Sequence, residues 1–140
     1  MTDKANIADF LPEMAARRPD STAIICPWGR RGGSLTYDQL NQRSARIARG
    51  LEKVGIGYGV RTVLMVPPGL DLFPLAFGLF RAGAVPVLVD PGIGLKHLKA
   101  CLGNAEPEAF IGVPKAHGAR VILGWGRSTI RMKITVGRRL

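Results

Sequence analysis

The sequence predicts an α/β fold, a partial three-layer arrangement in which a parallel sheet carries helices on both faces. Two short runs, Val60 to Val66 and Val85 to Val89, are apolar and rich in β-branched residues without polar alternation, the pattern of strands covered on both faces. Segments with helical spacing separate the strand-like runs, and the links between them are short. Alternation of β and α with short links argues for parallel strands joined by crossover helices.

Taken in order, Ile7, Phe10, Leu11 and Met14 fall at helical spacing with Asn6 as a plausible N-cap, and Pro12 requires that this helix start there or kink there. It stops at Arg18-Pro19. Thr22 to Cys26 reads as a strand, and Leu35-Thr36 is extended ahead of a helix whose capping box is Thr36 with Gln39. In that helix Tyr37, Leu40, Ser44, Ile47, Leu51 and Val54 form one face, while Asp38, Gln42, Arg43, Arg46, Arg49 and Lys53 point to water, and Gly55 ends it.

The Val60 to Val66 strand is closed by Pro67-Pro68-Gly69. From about Leu70 to Ala82 the apolar residues Leu72, Phe73, Leu75, Phe77, Leu79 and Phe80 surround a helix with Pro74 in its first turn, so this helix is expected to be core on nearly all sides. Arg81-Ala82-Gly83 ends it, with a cation near the negative end of the dipole and a glycine free to take the left-handed conformation. The Val85 to Val89 strand then runs into Asp90-Pro91-Gly92. A helix from Leu95 to Asn104 and a strand from Ala109 to Val113 follow, then a less regular segment, and Ile130 to Val136 alternates as a one-sided strand.

With 140 residues, 46% of them hydrophobic, the chain suits one domain with a real core. Its net charge is +10, and from Ala109 to Leu140 there are seven basic residues (Lys115, Arg120, Arg127, Arg131, Lys133, Arg138, Arg139) and no acid. Residues 114–140 therefore read as a basic terminal segment of poorer order. Cys26 and Cys101 have no paired spacing, the N-terminus lacks an apolar signal core, and the longest hydrophobic stretch, Leu70 to Phe80, falls short of the roughly 20 residues that span a bilayer. A reduced, cytoplasmic setting without a transmembrane segment is expected.

LTYDQL (35–40) and LFRAGAVPVLVDPG (79–92), in that order and at that spacing, resemble the first two core motifs of the adenylate-forming, AMP-dependent acyl ligase superfamily, which includes acyl-CoA synthetases, luciferases and adenylation domains. PEMAARRPDSTAI (12–24) and VGIGYGVRTVLMVPPGLDLFPLAFGLFRAG (54–83) fit the same pattern. PKAHGARVILGWGR (114–127) further resembles the fatty acyl-CoA ligase-like branch that includes the olefin-pathway β-lactone synthetases.

The resemblance implies a reaction in two steps. A fatty or related carboxylate attacks the α-phosphate of ATP with Mg²⁺, giving an acyl-adenylate and pyrophosphate, and a nucleophile then displaces AMP. That nucleophile is coenzyme A in most synthetases and the substrate's own β-hydroxyl in the β-lactone branch. The family's Ser/Thr/Gly-rich phosphate loop, adenine-side aromatic motif, ribose-binding aspartate and mobile-domain lysine have no counterpart within the 140 residues. The resemblance thus implies that residues 1–140 form an incomplete AMP-binding N-terminal domain, a truncated member inactive by itself, with no catalytic residue of its own. ATP, Mg²⁺, CoA and the carboxylic acid would be bound by full-length relatives, none of the cofactors tightly by this chain.

Among candidate sites, Gly92 and Gly94 lie between a strand and a helix and offer amides to an anion, helped by Lys96. Turn glycines there also have a purely steric use. By the resemblance, Pro91, Gly92 and Arg120 are the cofactor-binding candidates, on the CoA side. Asp90 stands where open sheets place ligands, but Asp before Pro-Gly is foremost a turn former. Gly55, Gly57 and Gly59 mimic a dinucleotide fingerprint but follow a helix and precede a strand, the reverse of the required order. His97 and His117 have no acid or thiol cluster beside them, so no metal site is expected.

An alternative reading is a non-enzymatic basic module for nucleic acid, an anionic surface or a protein partner. Trp28 and Trp125 are isolated from any nucleic-acid motif, so nucleic acid is the weaker partner. A sheet cut partway leaves an unpaired edge, and the Ile130 to Val136 strand is expected to be that edge and a route to self-association.

Overall fold

Local signals in the sequence account for most element boundaries in the computed structural model, which describes residues 6–27, 32–89 and 94–137. Asn6 caps a 3-10 turn, Ile7–Asp9, through a capping box with Asp9, and its Nδ2 donates to Phe80 O at 2.6 Å. Helix α1, Phe10–Arg17, follows directly, with Pro12 in its first turn, where its missing N–H costs nothing. Its buried face is Leu11 and Ala15, whereas Phe10 is exposed. Strands β1 (Thr22–Cys26) and β2 (Gly33–Thr36) pair antiparallel in a sheet of their own, a hairpin that the short Leu35-Thr36 signal did not disclose. Leu35 carries it onto the body, buried with Leu11 and Leu40.

Helix α2, Tyr37–Lys53, begins at the expected capping box: Gln39 N donates to Thr36 Oγ1 at 3.2 Å and Thr36 N to Gln39 Oε1 at 3.0 Å. Leu40, Ser44, Ala48 and Leu51 are buried, but Val54 is 52% exposed because it lies past the last turn. Helix α3, Leu72–Arg81, ends in the same way as α2. In each, a left-handed glycine (Gly55, φ 87°; Gly83, φ 73°) is followed by an amide that reaches back to the helix, Ile56 N to Leu51 O at 2.9 Å and Ala84 N to Leu79 O at 3.0 Å.

Strands β3 (Arg61–Met65), β4 (Val85–Leu88), β5 (Ala109–Gly112) and β6 (Met132–Thr135) form a wholly parallel sheet in the order β4-β3-β5-β6. Period-two alternation divides their side chains between two cores. Leu64, Ala109 and Ile111 meet α2 and α3. Val63 and Phe110 meet the opposite layer, α4 (Leu95–Ala105) and α5 (Pro114–Leu123). The sheet with helices on both faces is thus present.

Three expectations need correction. The Val85 strand is not covered on both faces: it is an edge, with Val85 47% and Leu88 67% exposed, and only β5 is buried along its whole length. Helix α3 is not enclosed on nearly all sides, since Phe73 is 42% exposed, and it packs against α2 and the sheet. The segment after β5 is a regular helix, α5, with Pro114 in its first turn and Gly124 left-handed at its end. The Ile130 to Val136 strand is confined to Met132–Thr135 and is an edge, as expected, but shares that status with β4.

Candidate functional site

A parallel sheet presents ligands at the carboxyl ends of its strands, above all where successive crossovers leave in opposite directions. Here that point lies beside β3: the connection through α3 leads to β4 on one side, and the connection through α4 leads to β5 on the other. The segments that end β3, β4 and β5 are therefore the natural site. Asp90, Pro91 and Gly92, which follow β4 in the sequence, lie outside the described residues, as does Trp28. Gly94 is the N-cap of α4, with φ 82°, no side-chain cap and open space around its Cα, and Lys96 on the first turn is exposed.

Arg120 stands on α5 over the centre of the sheet. Its guanidinium carbon is 5.8 Å from the centroid of the buried Phe110 ring, a cation-π contact, and its buried Nε has no hydrogen-bond partner. His117, one turn earlier, sits edge-on to the same ring at 5.0 Å, and its Nε2 lies 2.9 Å from Ile134 O. His117 thus ties α5 to β6, a structural role, while His97 is exposed. Trp125 is 3% exposed and anchors the turn after α5 in the second core. Pro114 in the first turn and Gly124 after the last are the two local signals that could have disclosed α5, which the sequence reading leaves as a less regular segment.

Arg81 is structural as well. Its Nη1 donates to Asn41 O at 2.8 Å and Ser44 Oγ at 3.0 Å, which fastens α3 to α2. Burial, with Arg49 nearby, lowers its pKa from the ordinary guanidinium value, against the opposing effect of Asp9. Gly55, Gly57 and Gly59 lie in the loop between α2 and β3, around the fully buried Ile56. Among the described residues there is no group of three His, Cys, Asp or Glu side chains able to hold a metal, and no helix long and apolar enough to cross a membrane.

Residues 11–136 match the family model described as AMP-binding enzyme. The chain belongs to that family. Among curated AMP-binding relatives, the olefin beta-lactone synthetase of Stenotrophomonas maltophilia is 54% identical over the whole of this chain, and that of Xanthomonas campestris is 51% identical over 99% of it. A salicyl-AMP ligase of Mycobacterium tuberculosis is 40% identical over 67% of the chain.

The chain spans 27%, 26% and 16% of the lengths of these three relatives. Of the solved structures, a Rhodopseudomonas palustris protein assigned by similarity as a long-chain-fatty-acid CoA ligase superposes on the entire chain with a TM-score of 0.85 at 19% identity, covering 35% of that protein. A fatty acyl CoA synthetase of Mycobacterium tuberculosis gives 0.81 over 94% of this chain and 26% of its own. At such identities these two establish the shared fold of the AMP-binding domain.

Proposed function

We propose that this chain provides part of the large N-terminal domain of an enzyme that activates a β-hydroxy fatty acid with ATP and closes it to a β-lactone. The single observation that carries this reading is the 54% identity along the entire chain to an olefin beta-lactone synthetase. In the reaction the substrate carboxylate attacks the α-phosphate of ATP in the presence of Mg²⁺ and releases pyrophosphate. The β-hydroxyl oxygen then attacks the acyl carbonyl, loses its proton and expels AMP. Coenzyme A, the acceptor in other branches, is not consumed in this route.

The chain's own contribution is the scaffold: β3, β4 and β5 hold the loops at their carboxyl ends in register, and alignment of charged reactants against such a rigid frame is a large part of catalysis by positioning. Pro91, Gly92 and Arg120 are proposed, from the family resemblance, as contacts on the side where CoA-using members hold that cofactor. By itself the chain activates no carboxylate, and its setting is cytoplasmic.

Exchanging the corresponding segment of the S. maltophilia synthetase for residues 11–136 tests the assignment. The expected result is β-lactone formation within about tenfold of the parent, or about 1.4 kcal/mol of transition-state stabilisation. A folded chimera that releases pyrophosphate but forms only acyl-adenylate would move the chain to another branch of the family.

A further inference from the structure

We propose that His97 and Cys101, one turn apart on α4, form a two-ligand site for a borderline-soft divalent cation of the Zn²⁺ type. No three potential ligands gather anywhere among the described residues, so the pair stands outside any cluster. It is complete within one helix. Cys101 follows His97 by four residues, both lie inside Leu95–Ala105, and both are exposed. Four residues turn an α-helix through about 400°, so the two side chains share a flank, with Cβ atoms about 5–6 Å apart. Helical side chains lean toward the N-terminus, which aims the Cys101 thiol back at the turn that carries His97. Zn–N and Zn–S bonds of about 2.1 and 2.3 Å require nitrogen and sulfur about 3.5 Å apart, within reach of residues so spaced.

The remainder of α4 leaves the pair free to act. Leu98 and Leu102 form its buried face, packed in the second core with Phe110. On the helical spacing His97 and Cys101 fall to one side of that face, and Lys96 and Lys99 fall to the other. No ammonium group therefore stands between the two ligands. Neither His97 nor Cys101 has a hydrogen bond or ion pair to another described residue, so coordination breaks no existing contact.

Imidazole with thiolate suits Zn²⁺, whereas Mg²⁺ and Ca²⁺ take oxygen ligands. On binding, the Cys101 thiol gives its proton to solvent, neutral His97 offers one ring nitrogen, and water fills the remaining positions. The consequence lies at the start of α4. Gly94 supplies no side-chain cap there, and the first turn holds no acid. An ion joining the first turn to the second fastens the beginning of the helix that follows the segment after β4, beside the candidate site. Because both ligands belong to α4, the site depends on no residue outside it.

Titration of the reduced 140-residue chain with Zn²⁺, and with Cd²⁺ to read a thiolate charge-transfer band in the ultraviolet, tests the proposal. The expected result is one ion per chain, the Cd²⁺ band, and a thermal midpoint that rises with Zn²⁺ but not with Mg²⁺. His97→Gln and Cys101→Ser each weaken binding at least about tenfold, since loss of even an outer partner of a metal costs that much. Cys26→Ser changes nothing. Cys101→His keeps Zn²⁺ binding and the rise in midpoint while the Cd²⁺ band disappears. Ala100→Cys combined with Cys101→Ser keeps a thiol but turns it about 100° away from His97, and binds as weakly as Cys101→Ser alone. Far-UV circular dichroism checks that each variant is folded. Zn²⁺ affinity that survives either single substitution, equal affinity for the displaced thiol, or an unmoved midpoint in the Zn²⁺-saturated chain overturns the proposal.

Discussion

Phe110→Ala is expected to lower stability by about 3–5 kcal/mol and the thermal midpoint by roughly 10–20 °C. The ring is fully buried at the centre of the second core, where β3, α4, α5 and the Ile130 approach to β6 converge through Val63, Leu98, Leu102, Ala116 and Trp125. It is also the surface against which His117 packs edge-on and over which Arg120 lies. Truncation leaves a cavity between a sheet and two helices, and removes the platform on which α5 is seated. Domains of this size hold only about 5–15 kcal/mol in reserve, so much of the population would be unfolded near the midpoint of the parent. Phe110→Leu keeps most of the volume and should cost under about 1.5 kcal/mol. Urea titration followed by far-UV circular dichroism separates the two. An Ala variant within about 1 kcal/mol of the parent would mean that the second core is not centred on this ring.

At the opposite face, Gly78→Val should cost about 2–3 kcal/mol, near the upper end of overpacking effects. Helices α2 and α3 cross at Gly78 so closely that a Cβ there would stand 2.5 Å from Ile47 Cγ2, 3.0 Å from Ile47 Cβ and 3.4 Å from Ser44 O. The crossing cannot widen freely. One turn along α3, Arg81 Nη1 is bonded to Asn41 O and Ser44 Oγ, and separation of the helices would break both bonds of that half-buried donor. Ile47→Ala removes the nearest obstructing methyl, so a double-mutant cycle with Gly78→Val should show coupling of about 1 kcal/mol or more. Strict additivity would place the damage elsewhere.

These sites illustrate what was readable in the sequence and what was not. Strands β1, β3 and β5 and the ends of α2 and α3 follow from local chemistry: β-branched runs, the Thr36–Gln39 box, and glycines positioned to be left-handed. Burial was harder, because it depends on neighbours distant in sequence. Val85 to Val89 has the composition of a central strand, yet β3 pairs it on one side only and nothing among the described residues covers its other edge.

Helix α5 was missed because Gly118 and the small residues around it weaken any amphipathic stripe. Its position is fixed instead by contacts to Phe110 and β6 that no local pattern encodes. Of the candidate cofactor residues, Arg120 gains a definite setting on α5, while Pro91 and Gly92 fall outside the described residues. The family was legible because its first motifs coincide with scaffold, the helix exit at Gly83 and the strand after it.

We propose that this chain supplies part of the frame of an adenylate-forming site and does not by itself transfer the nucleotide. Pyrophosphate release by the 140-residue chain, supplied with a β-hydroxy fatty acid, ATP and Mg²⁺, tests it most directly. Release no greater than in a control without protein is the predicted result. Release that rises in proportion to chain concentration, requires the fatty acid and disappears in the Phe110→Ala variant would contradict it.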